Sequence, residues 1–464
     1  MPQYAKEAFY MKIMIAGCGK IGTTIIESLV AEGHSVIAVD NDPAVISEIT
    51  NIHDVMGVCG NGADCETLEA GGVSSVNLFV AVTGSDEFNM LSCFMAKKMG
   101  AQHTIARIRN PEYNDHSLGF MRQMLDISMP INPELLAAHE LYNLLKFPSA
   151  VKIETFSQRN FEMIEMRLAD NSPLDGMSLL ELREKYDAKV LICAVRRGDE
   201  VTIPSGSFVL RAGDRLGLTA APAEIQKFMK IIGALRRQAR SVMILGGSMT
   251  AHYLAKRLTA AGTDVKIIER DPEICERLAA DLPRAVVICG DGARQELLLE
   301  EGLASHDAFV SLTGMDEENI LISYFAATQN VPVVITKINR DEMMPLAGHL
   351  GLEYVVSPKK TVADVLVRYA RALQNSIGSS VETLYKLMDG KVEALEFKVS
   401  DGLPLLGIPL KELKPKMKPG ILIAGIIRDR KTIIPAGDDK ILSGDRVIVI
   451  AAGRMLGSLS DILN

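Results

Sequence analysis

The sequence predicts an α/β protein of two tandem parallel-sheet lobes, each followed by a small α+β lobe. Three observations carry that reading. Short β-branched runs alternate with segments of helical spacing, a glycine-rich turn follows the first such run, and the whole pattern occurs twice along the chain. Strands alternating with helices predict a parallel sheet covered on both faces.

The repeat fixes the organisation. CGNGADCETLEAGGVSSVNLFVAVTGSDEFNM (59–90) aligns without a gap with CGDGARQELLLEEGLASHDAFVSLTGMDEENI (289–320), an offset of 230, and ARIRNPE (106–112) matches TKINRDE (336–342) at the same offset. A second module repeats at an offset of 231: VLICAVRRGDEVTIPSG (190–206) matches ILIAGIIRDRKTIIPAG (421–437). AGDRL (212–216) likewise matches SGDRV (443–447). Such self-similarity marks a duplicated unit. The expected boundaries are 11–148 and 239–374 for the parallel-sheet lobes and 149–233 and 381–464 for the small ones. GALRRQARS (233–241), basic and polar, is the linker between the two units.

In order along the first lobe, KIMIAG and SVIAVD read as strands, and TTIIESLVAEG between them has helical spacing and ends at Gly33, a C-cap. LFVAVT and TIARIR are later strands flanking the helix DEFNMLSCFMAKKMG. NPELLAAHELYNLLKF (132–147) is an amphipathic helix that starts at Asn132 with Pro133 in its first turn, and SPKKTVADVLVRYARAL (357–373) is its counterpart. Its apolar residues Leu135, Leu136, Leu141, Leu144, Leu145 and Phe147 exceed what one small lobe needs, so a buried face between lobes is expected. In the small lobe, FEMIEMRL, KVLICAVRR, EVTIP and DRLGLTA are strands, RRGD and LRAGD are turns, and a helix lies around MSLLELREKY. That lobe has no glycine-rich phosphate loop and no cluster of catalytic residue types.

Composition narrows the function. A chain of 464 residues suggests two to four domains, and 48% hydrophobic with 23% charged residues is an ordinary globular balance. No Trp, 5% aromatics and a net charge of −8 argue against a nucleic-acid partner. The seven cysteines form no CxxC pair and the eight histidines are scattered, so reduced thiols and no metal site are expected. No apolar run approaches the roughly 18 residues of a membrane span. MPQYAKEAFY (1–10) lacks the features of a signal peptide, and Met11 is an equally sensible start, so a cytoplasmic location is expected.

The candidate site begins at Gly17-Cys18-Gly19-Lys20-Ile21-Gly22, a G-x-G-x-x-G turn between a strand and a helix. Gly17 permits the tight turn, Gly19 lets backbone approach a pyrophosphate, and Gly22 lets helix pack on strand. The helix N-terminus offers N–H groups and partial positive charge to phosphates. Asp40 ends the second strand, 18 residues after Gly22, where an acid accepts ribose hydroxyls and disfavours a 2′-phosphate. The expectation is a Rossmann-like site for NAD(H) or plain adenine nucleotides (ATP or ADP). Gly60-Asn61-Gly62 would lie near adenine or ribose, and Thr83-Gly84-Ser85 near ribose or phosphate. Arg107 on the fifth strand suits a phosphate or pairs with a neighbouring carboxylate; Asp86 and Glu87 cap the next helix.

The second copy has drifted. Its turn is Gly246-Gly247-Ser248-Met249-Thr250-Ala251, with Ser and Ala where the second and third glycines stood. Glu269 takes the place of Asp40, Gly290-Asp291-Gly292 and Thr313-Gly314 persist, and Lys337 replaces Arg107. Weaker, different or no nucleotide binding is expected there.

GCGKIG, the strand ending at Asp40, TGSDEFNM with its copy TGMDEENI, ARIRNP and the doubled order of lobes resemble the TrkA family of cytosolic regulatory subunits of Trk-type potassium uptake systems, built of tandem RCK or KTN domains. The resemblance covers nearly the whole chain from Met11. It implies a gating ring of four chains beneath a membrane-embedded potassium-translocating subunit of the TrkH/TrkG kind, held peripherally at the inner face of the cell membrane. It also implies that residues 17–21, Asp40, Thr83, Gly84 and Arg107 hold NAD(H) or an adenine nucleotide, with Lys20 placed to sense a terminal phosphate and Met249 unable to. The alternative, an NAD-dependent oxidoreductase, needs an acid–base group beside the nicotinamide, and neither small lobe offers a His–Asp or Lys–Tyr constellation. A non-enzymatic regulator with no catalytic residues is the expectation.

Overall fold

A computed structural model describes residues 10–464 apart from 111, 112, 114, 149–151, 156–161, 187–188, 235–237, 377–380, 389, 430 and 455. The segment before Tyr10, part of the linker (235–237), the end of ARIRNPE and the start of FEMIEMRL therefore lie outside the described residues.

The first lobe runs β1 (Lys12–Ala16), α1 (Lys20–Ala31), β2 (Ser35–Asp40), α2 (Pro43–Ile52), β3 (Met56–Cys59), α3 (Cys65–Ala70), β4 (Leu78–Ala81), α4 (Asp86–Lys98), β5 (His103–Arg107), α5 (Asp115–Met124), β6 (Met129–Ile131) and α6 (Pro133–Lys146). Its six strands are all parallel, in the order β3-β2-β1-β4-β5-β6. The order reverses direction between β1 and β4, which opens a crevice beyond their C-terminal ends, the place where such sheets bind ligands. β4 is buried at every position, as a strand covered on both faces must be.

The first small lobe comprises β7 (Lys152–Thr155), β8 (Glu162–Arg167), α7 (Leu179–Lys185), β9 (Leu191–Arg197), β10 (Glu200–Thr202), β11 (Arg215–Ala220) and α8 (Pro222–Ile231). Its antiparallel sheet has the order β10-β9-β11-β8-β7. β7 and α8 are additions to the sequence expectation. A capping box of Ser178 and Glu181 starts α7.

The second parallel-sheet lobe repeats the first: β12 (Ser241–Leu245), α9 (Met249–Ala260), β13 (Asp264–Glu269), α10 (Pro272–Asp281), β14 (Val286–Cys289), α11 (Gln295–Glu300), β15 (Ala308–Ser311), α12 (Asp316–Thr328), β16 (Val333–Lys337), α13 (Met344–His349), β17 (Tyr354–Val356) and α14 (Pro358–Ser376). Strand order is again β14-β13-β12-β15-β16-β17, all parallel. The last lobe, β18 (Val381–Leu387), β19 (Val392–Lys398), α15 (Leu410–Leu413), β20 (Ile421–Arg428), β21 (Lys431–Ile433) and β22 (Arg446–Ala452), forms the antiparallel sheet β18-β19-β22-β20-β21.

The copies associate like with like. One compact unit contains both parallel-sheet lobes (up to Leu141, and Ser241–Ala370), the other both small lobes (Tyr142–Arg240 and Arg371–Asn464). In the first unit Tyr253 donates to Arg109 O at 3.0 Å, and Thr361 donates to Glu140 Oε2 at 2.7 Å, each across the two lobes. In the second unit the two sheets share a core that includes Met163, Cys193 and Ala194 with Val392, Ala424 and Ile448. Each small lobe carries a buried aspartate gripped by a two-pronged arginine: Arg197 on Asp214 at 2.8 and 2.7 Å, and Arg428 on Asp445 at the same distances.

Asn132 caps α6, its side-chain oxygen accepting from Leu135 N at 2.9 Å. Within the single chain Leu141, Leu144 and Leu145 are already buried, while Leu135 and Phe147 are exposed, so the apolar surplus of this helix is smaller than its composition suggests. No described helix is long and apolar enough to cross a membrane.

Candidate functional site

The first turn is shaped by contacts that only glycine permits. Gly17 has φ +95°, and a Cβ there would lie 2.8 Å from Thr83 N; a Cβ on Gly22 would lie 2.0 Å from Gly17 O. These two glycines let α1 start directly against β1 and β4. Gly19 differs: it has an ordinary φ of −68° and nothing within 4 Å of an added Cβ. Its smallness serves the space in front of it, not the fold.

Gly19 is the N-cap of α1 and provides no side-chain cap, so the first-turn N–H groups point outward without a capping acceptor. An anion in front of them would meet oriented donors and the positive end of the helix dipole. Asp40 stands beside this turn, accepting from Cys18 N at 2.7 Å and from Asp42 N at 3.1 Å. It thereby locks turn to strand, and its carboxylate still has lone pairs for hydroxyl donors. The Cys18 thiol is pushed up to about 12, first by burial and then by the Asp40 charge, which makes it an inert wall.

The opposite wall is set by a residue the sequence reading did not single out. Asn89 on α4 is fully buried; its Oδ1 accepts from Thr83 N (2.8 Å) and Thr83 Oγ1 (2.7 Å), and its Nδ2 donates to Arg107 O at 3.0 Å. It therefore ties the β4–α4 loop to β5. Arg107 is buried too: it donates to Thr83 O, and its Nε has no hydrogen-bond partner among the described residues. Burial, then the nearby Arg109, pulls its pKa down. Of the two roles expected for it, pairing with a neighbouring carboxylate is not seen, since Arg107 makes no carboxylate ion pair among the described residues.

One expectation changes. Ser85, not Asp86, caps α4, accepting from Phe88 N at 3.1 Å. Asp86 is buried and accepts from Arg109 N (2.7 Å) and Asn110 N (2.8 Å), pinning the loop after β5. Asn61 uses its Oδ1 to hold Ala63 N at 2.8 Å, an Asx turn that shapes the loop beyond β3. The signals were in the repeat: Asn89 and Asp86 have counterparts in Asn319 and Asp316, which make the same contacts at 2.8–3.0 Å.

The turn and its flanking loops border one cleft of 1560 Å³ between the two parallel-sheet lobes. Gly17, Cys18, Gly19, Lys20, Ile21, Asp40, Asn61, Thr83, Gly84 and Arg107 line it. From the second lobe come Ser248, Met249, Thr250, Gly314 and Lys337, but not Gly246, Gly247, Glu269, Asp291 or Thr313. Gly22 lies behind the turn.

The second turn reproduces the backbone of the first with a different cap and different packing. Gly246 has φ +94°, and Gly247 N donates to Glu269 as Cys18 N does to Asp40. Ser248, however, turns its own hydroxyl onto Ala251 N (3.4 Å), so the helix N-terminus is partly satisfied from within. The packing around the turn also differs. A Cβ on Gly292 would lie 2.1 Å from Leu245 Cδ1, where the equivalent Gly62 meets the smaller Ala16 at 2.9 Å. Gly247 takes the place of Cys18, and Ile274 and Leu278, at the positions of Val45 and Ile49, would lie 2.7 and 2.8 Å from a Cβ there, so they take up the space that the Cys18 side chain holds in the first lobe. Lys337 keeps its place in the cleft, its pKa lowered by burial against the pull of Asp316 and Glu134.

The first crevice therefore fits a dinucleotide or adenine nucleotide on four counts: uncapped helix donors for phosphate, open space in front of Gly19, an acid at the ribose position, and a buried arginine Nε without a partner among the described residues. Among the described residues no group of three or more His, Cys, Asp or Glu could hold a metal ion.

Comparison with known proteins follows the same division. The TrkA-N domain family matches residues 13–124 and 242–358, and the TrkA-C domain family matches 163–233 and 394–464. A Trk system potassium uptake protein TrkA homolog of Archaeoglobus fulgidus is 32% identical over 452 residues, covering 97% of this chain and 100% of that protein. The Trk system potassium uptake protein TrkA of Haemophilus influenzae is 31% identical over 95% of each chain. Among solved structures, the GsuK RCK domain superposes with a TM-score of 0.62 at 17% identity, over 96% of this chain and 93% of that one. The GsuK channel bound to NAD gives 0.61 at 17% identity, over 96% and 78%. At this identity the likeness concerns the fold.

Proposed function

The chain belongs to the TrkA family, and from that premise we propose that it is the cytosolic regulatory subunit of a potassium uptake system, switched by NAD(H) or an adenine nucleotide bound in its first lobe. The observation that carries this reading is the asymmetry of the two turns: Gly17 to Ile21, Asp40, Asn61, Thr83, Gly84 and Arg107 border the cleft with the helix donors at Gly19 uncapped, while Gly246, Gly247, Glu269, Asp291 and Thr313 do not border it and Ser248 caps its own helix.

In this reading the α1 N–H groups bind the pyrophosphate, Asp40 accepts the ribose hydroxyls, Thr83 and Gly84 flank the ribose and phosphate, and Arg107 neutralises phosphate charge. Lys20 stands exposed at the mouth, where it distinguishes a longer phosphate chain from a shorter one. The cleft also contains Met249 and Lys337 of the second lobe, so a ligand seated on the first lobe biases how the two lobes close on each other. A nucleotide shifts the gate only to the extent that it binds one conformation more tightly, and each tenfold of preference corresponds to about 1.4 kcal/mol.

The output is carried by assembly: four chains form a ring that docks on the cytosolic side of a potassium-translocating membrane subunit of the TrkH/TrkG type. The crevice senses and does not catalyse. Calorimetry with NADH, NAD, ADP and ATP tests the site, and light scattering tests the ring. A chain that stays monomeric at tens of micromolar with and without nucleotide would contradict the assembly. Steady NADH oxidation with a small substrate would contradict the regulatory role.

A further inference from the structure

The second lobe carries a pair of thiols with no counterpart in the first. Cys275 on α10 is buried, and its Sγ donates to Glu269 O at 3.3 Å. Cys289 ends β14 and is exposed; in the parallel register it sits directly opposite Glu269. Both cysteines thus converge on one residue, Cys275 from a helix through its bond to Glu269 O and Cys289 from the neighbouring strand through its register with Glu269. In the first lobe Cys59 holds the place of Cys289, but Ile46 holds the place of Cys275, and Cys59 instead reaches Asn41 O at 3.9 Å. The duplication therefore supplies an internal control.

We propose that Cys275 and Cys289 form a reversible oxidation site, a dithiol that a peroxide converts to an intrachain disulfide beside the acid of the second lobe. The order of events follows from accessibility. Burial, followed by the Cys289 contact, pushes the Cys275 thiol up to about 12, so the exposed Cys289 sulfur is the one that meets the oxidant. Cys289 thiolate attacks the peroxide ROOH, the O–O bond breaks, and a sulfenic acid and ROH result. The Cys275 sulfur then attacks the sulfenic sulfur; the S–S bond forms as the S–O bond breaks, and the hydroxyl leaves with the thiol proton as water. Two electrons pass from the dithiol to the peroxide, and a dithiol reductant reverses the step.

The bond ties α10 to the edge strand β14. It also withdraws the Cys275 S–H donor from Glu269 O, which keeps the bond from Gly290 N at 2.8 Å. Helix α10 also supplies Ile274 and Leu278, which pack against Gly247, so oxidation fixes the helix that lies on the second turn.

The test is non-reducing peptide mass spectrometry of the full chain titrated with a few equivalents of hydrogen peroxide. The expected product is a Cys275–Cys289 cross-link, two hydrogens lighter than the reduced pair, which dithiothreitol reverses. Cys275→Ile, which installs the first-lobe residue type, should abolish the cross-link and leave a sulfenic acid on Cys289 that dimedone traps. The converse substitution, Ile46→Cys, should create a cross-link to Cys59 in the first lobe. If wild-type Cys275 and Cys289 stay reduced while exposed Cys59 or Cys65 is oxidised, or if Cys289 yields only chain-to-chain dimers, the proposal is overturned.

Discussion

The turn at Gly17 and the turn at Gly246 have nearly the same backbone and different surroundings. Each begins with a glycine of positive φ, each donates its next N–H to the acid at the end of the second strand, and each is braced by a buried asparagine on the fourth helix. What separates them is the cap and the packing: Gly19 against Ser248, which caps its own helix, and Cys18 with Ala16, Val45 and Ile49 against Gly247 with Leu245, Ile274 and Leu278. A phosphate turn is therefore a backbone shape that a fold keeps for packing reasons, whereas a nucleotide site also needs free helix donors. The second copy has kept the shape and capped its donors from within.

The sharpest way to break this comparison is at the third glycine. Gly22→Ala places a methyl 2.0 Å from Gly17 O, so helix and strand must separate, and overpacking of this kind costs about 1–3 kcal/mol or more. The second lobe already has Ala251 at this place, and Ala251→Gly there should cost only about 0.5–1 kcal/mol through backbone entropy. Denaturant unfolding of both variants checks the contrast; equal losses would mean that the two helix starts pack alike.

Next is Gly19→Val. Because an added Cβ meets nothing within 4 Å, the thermal midpoint should stay within a few degrees of wild type. Adenine nucleotide or NAD(H) affinity should fall by about tenfold to a hundredfold, the loss of charged hydrogen bonds worth roughly 1–3 kcal/mol. Ser248→Val in the second turn should leave affinity unchanged. Calorimetry on both variants decides it, and a larger loss with Ser248→Val would reverse the ranking of the lobes.

Asp40→Asn comes third. The amide oxygen can still accept from Cys18 N, so the turn survives, but the charged acceptor for ribose hydroxyls is gone. By calorimetry a Kd weaker by about tenfold is expected, about 1.4 kcal/mol, while Glu269→Gln should change affinity by less than about twofold. The smallest effect is that of Met249→Lys, which puts an exposed cation at the mouth of the cleft. Its gain should be about 0.2–1 kcal/mol, greater for a triphosphate than for a monophosphate and reduced by salt.

How much of this was legible follows from the range of each interaction. The turn, Asp40 and the alternating strands are local patterns, and the offset of 230 residues made the second copy visible at once. The exchange of packing around the second turn was not legible as such. Ser248 and Ala251 announce a changed turn, but Leu245, Ile274 and Leu278 look like ordinary core residues until the sheet brings β12 and α10 to the same spot. Asp86 reads as a helix cap because its sequence neighbours allow it; its bonds to Arg109 N and Asn110 N depend on a loop 23 residues away. Arg197–Asp214 and Arg428–Asp445 were hidden for a different reason. Both turns read as hairpin punctuation, and only the fold shows the arginine reaching across 17 residues of chain.

The central claim is that a nucleotide in the first crevice controls potassium movement through a membrane partner. Potassium flux into vesicles containing that partner, measured with and without nucleotide, tests it most directly when wild type is compared with Gly19→Val. The account predicts that nucleotide changes flux with the wild-type chain and has no effect with Gly19→Val, although both chains bind the vesicles equally. An equal nucleotide response with the two chains, or none with the wild type, would contradict it.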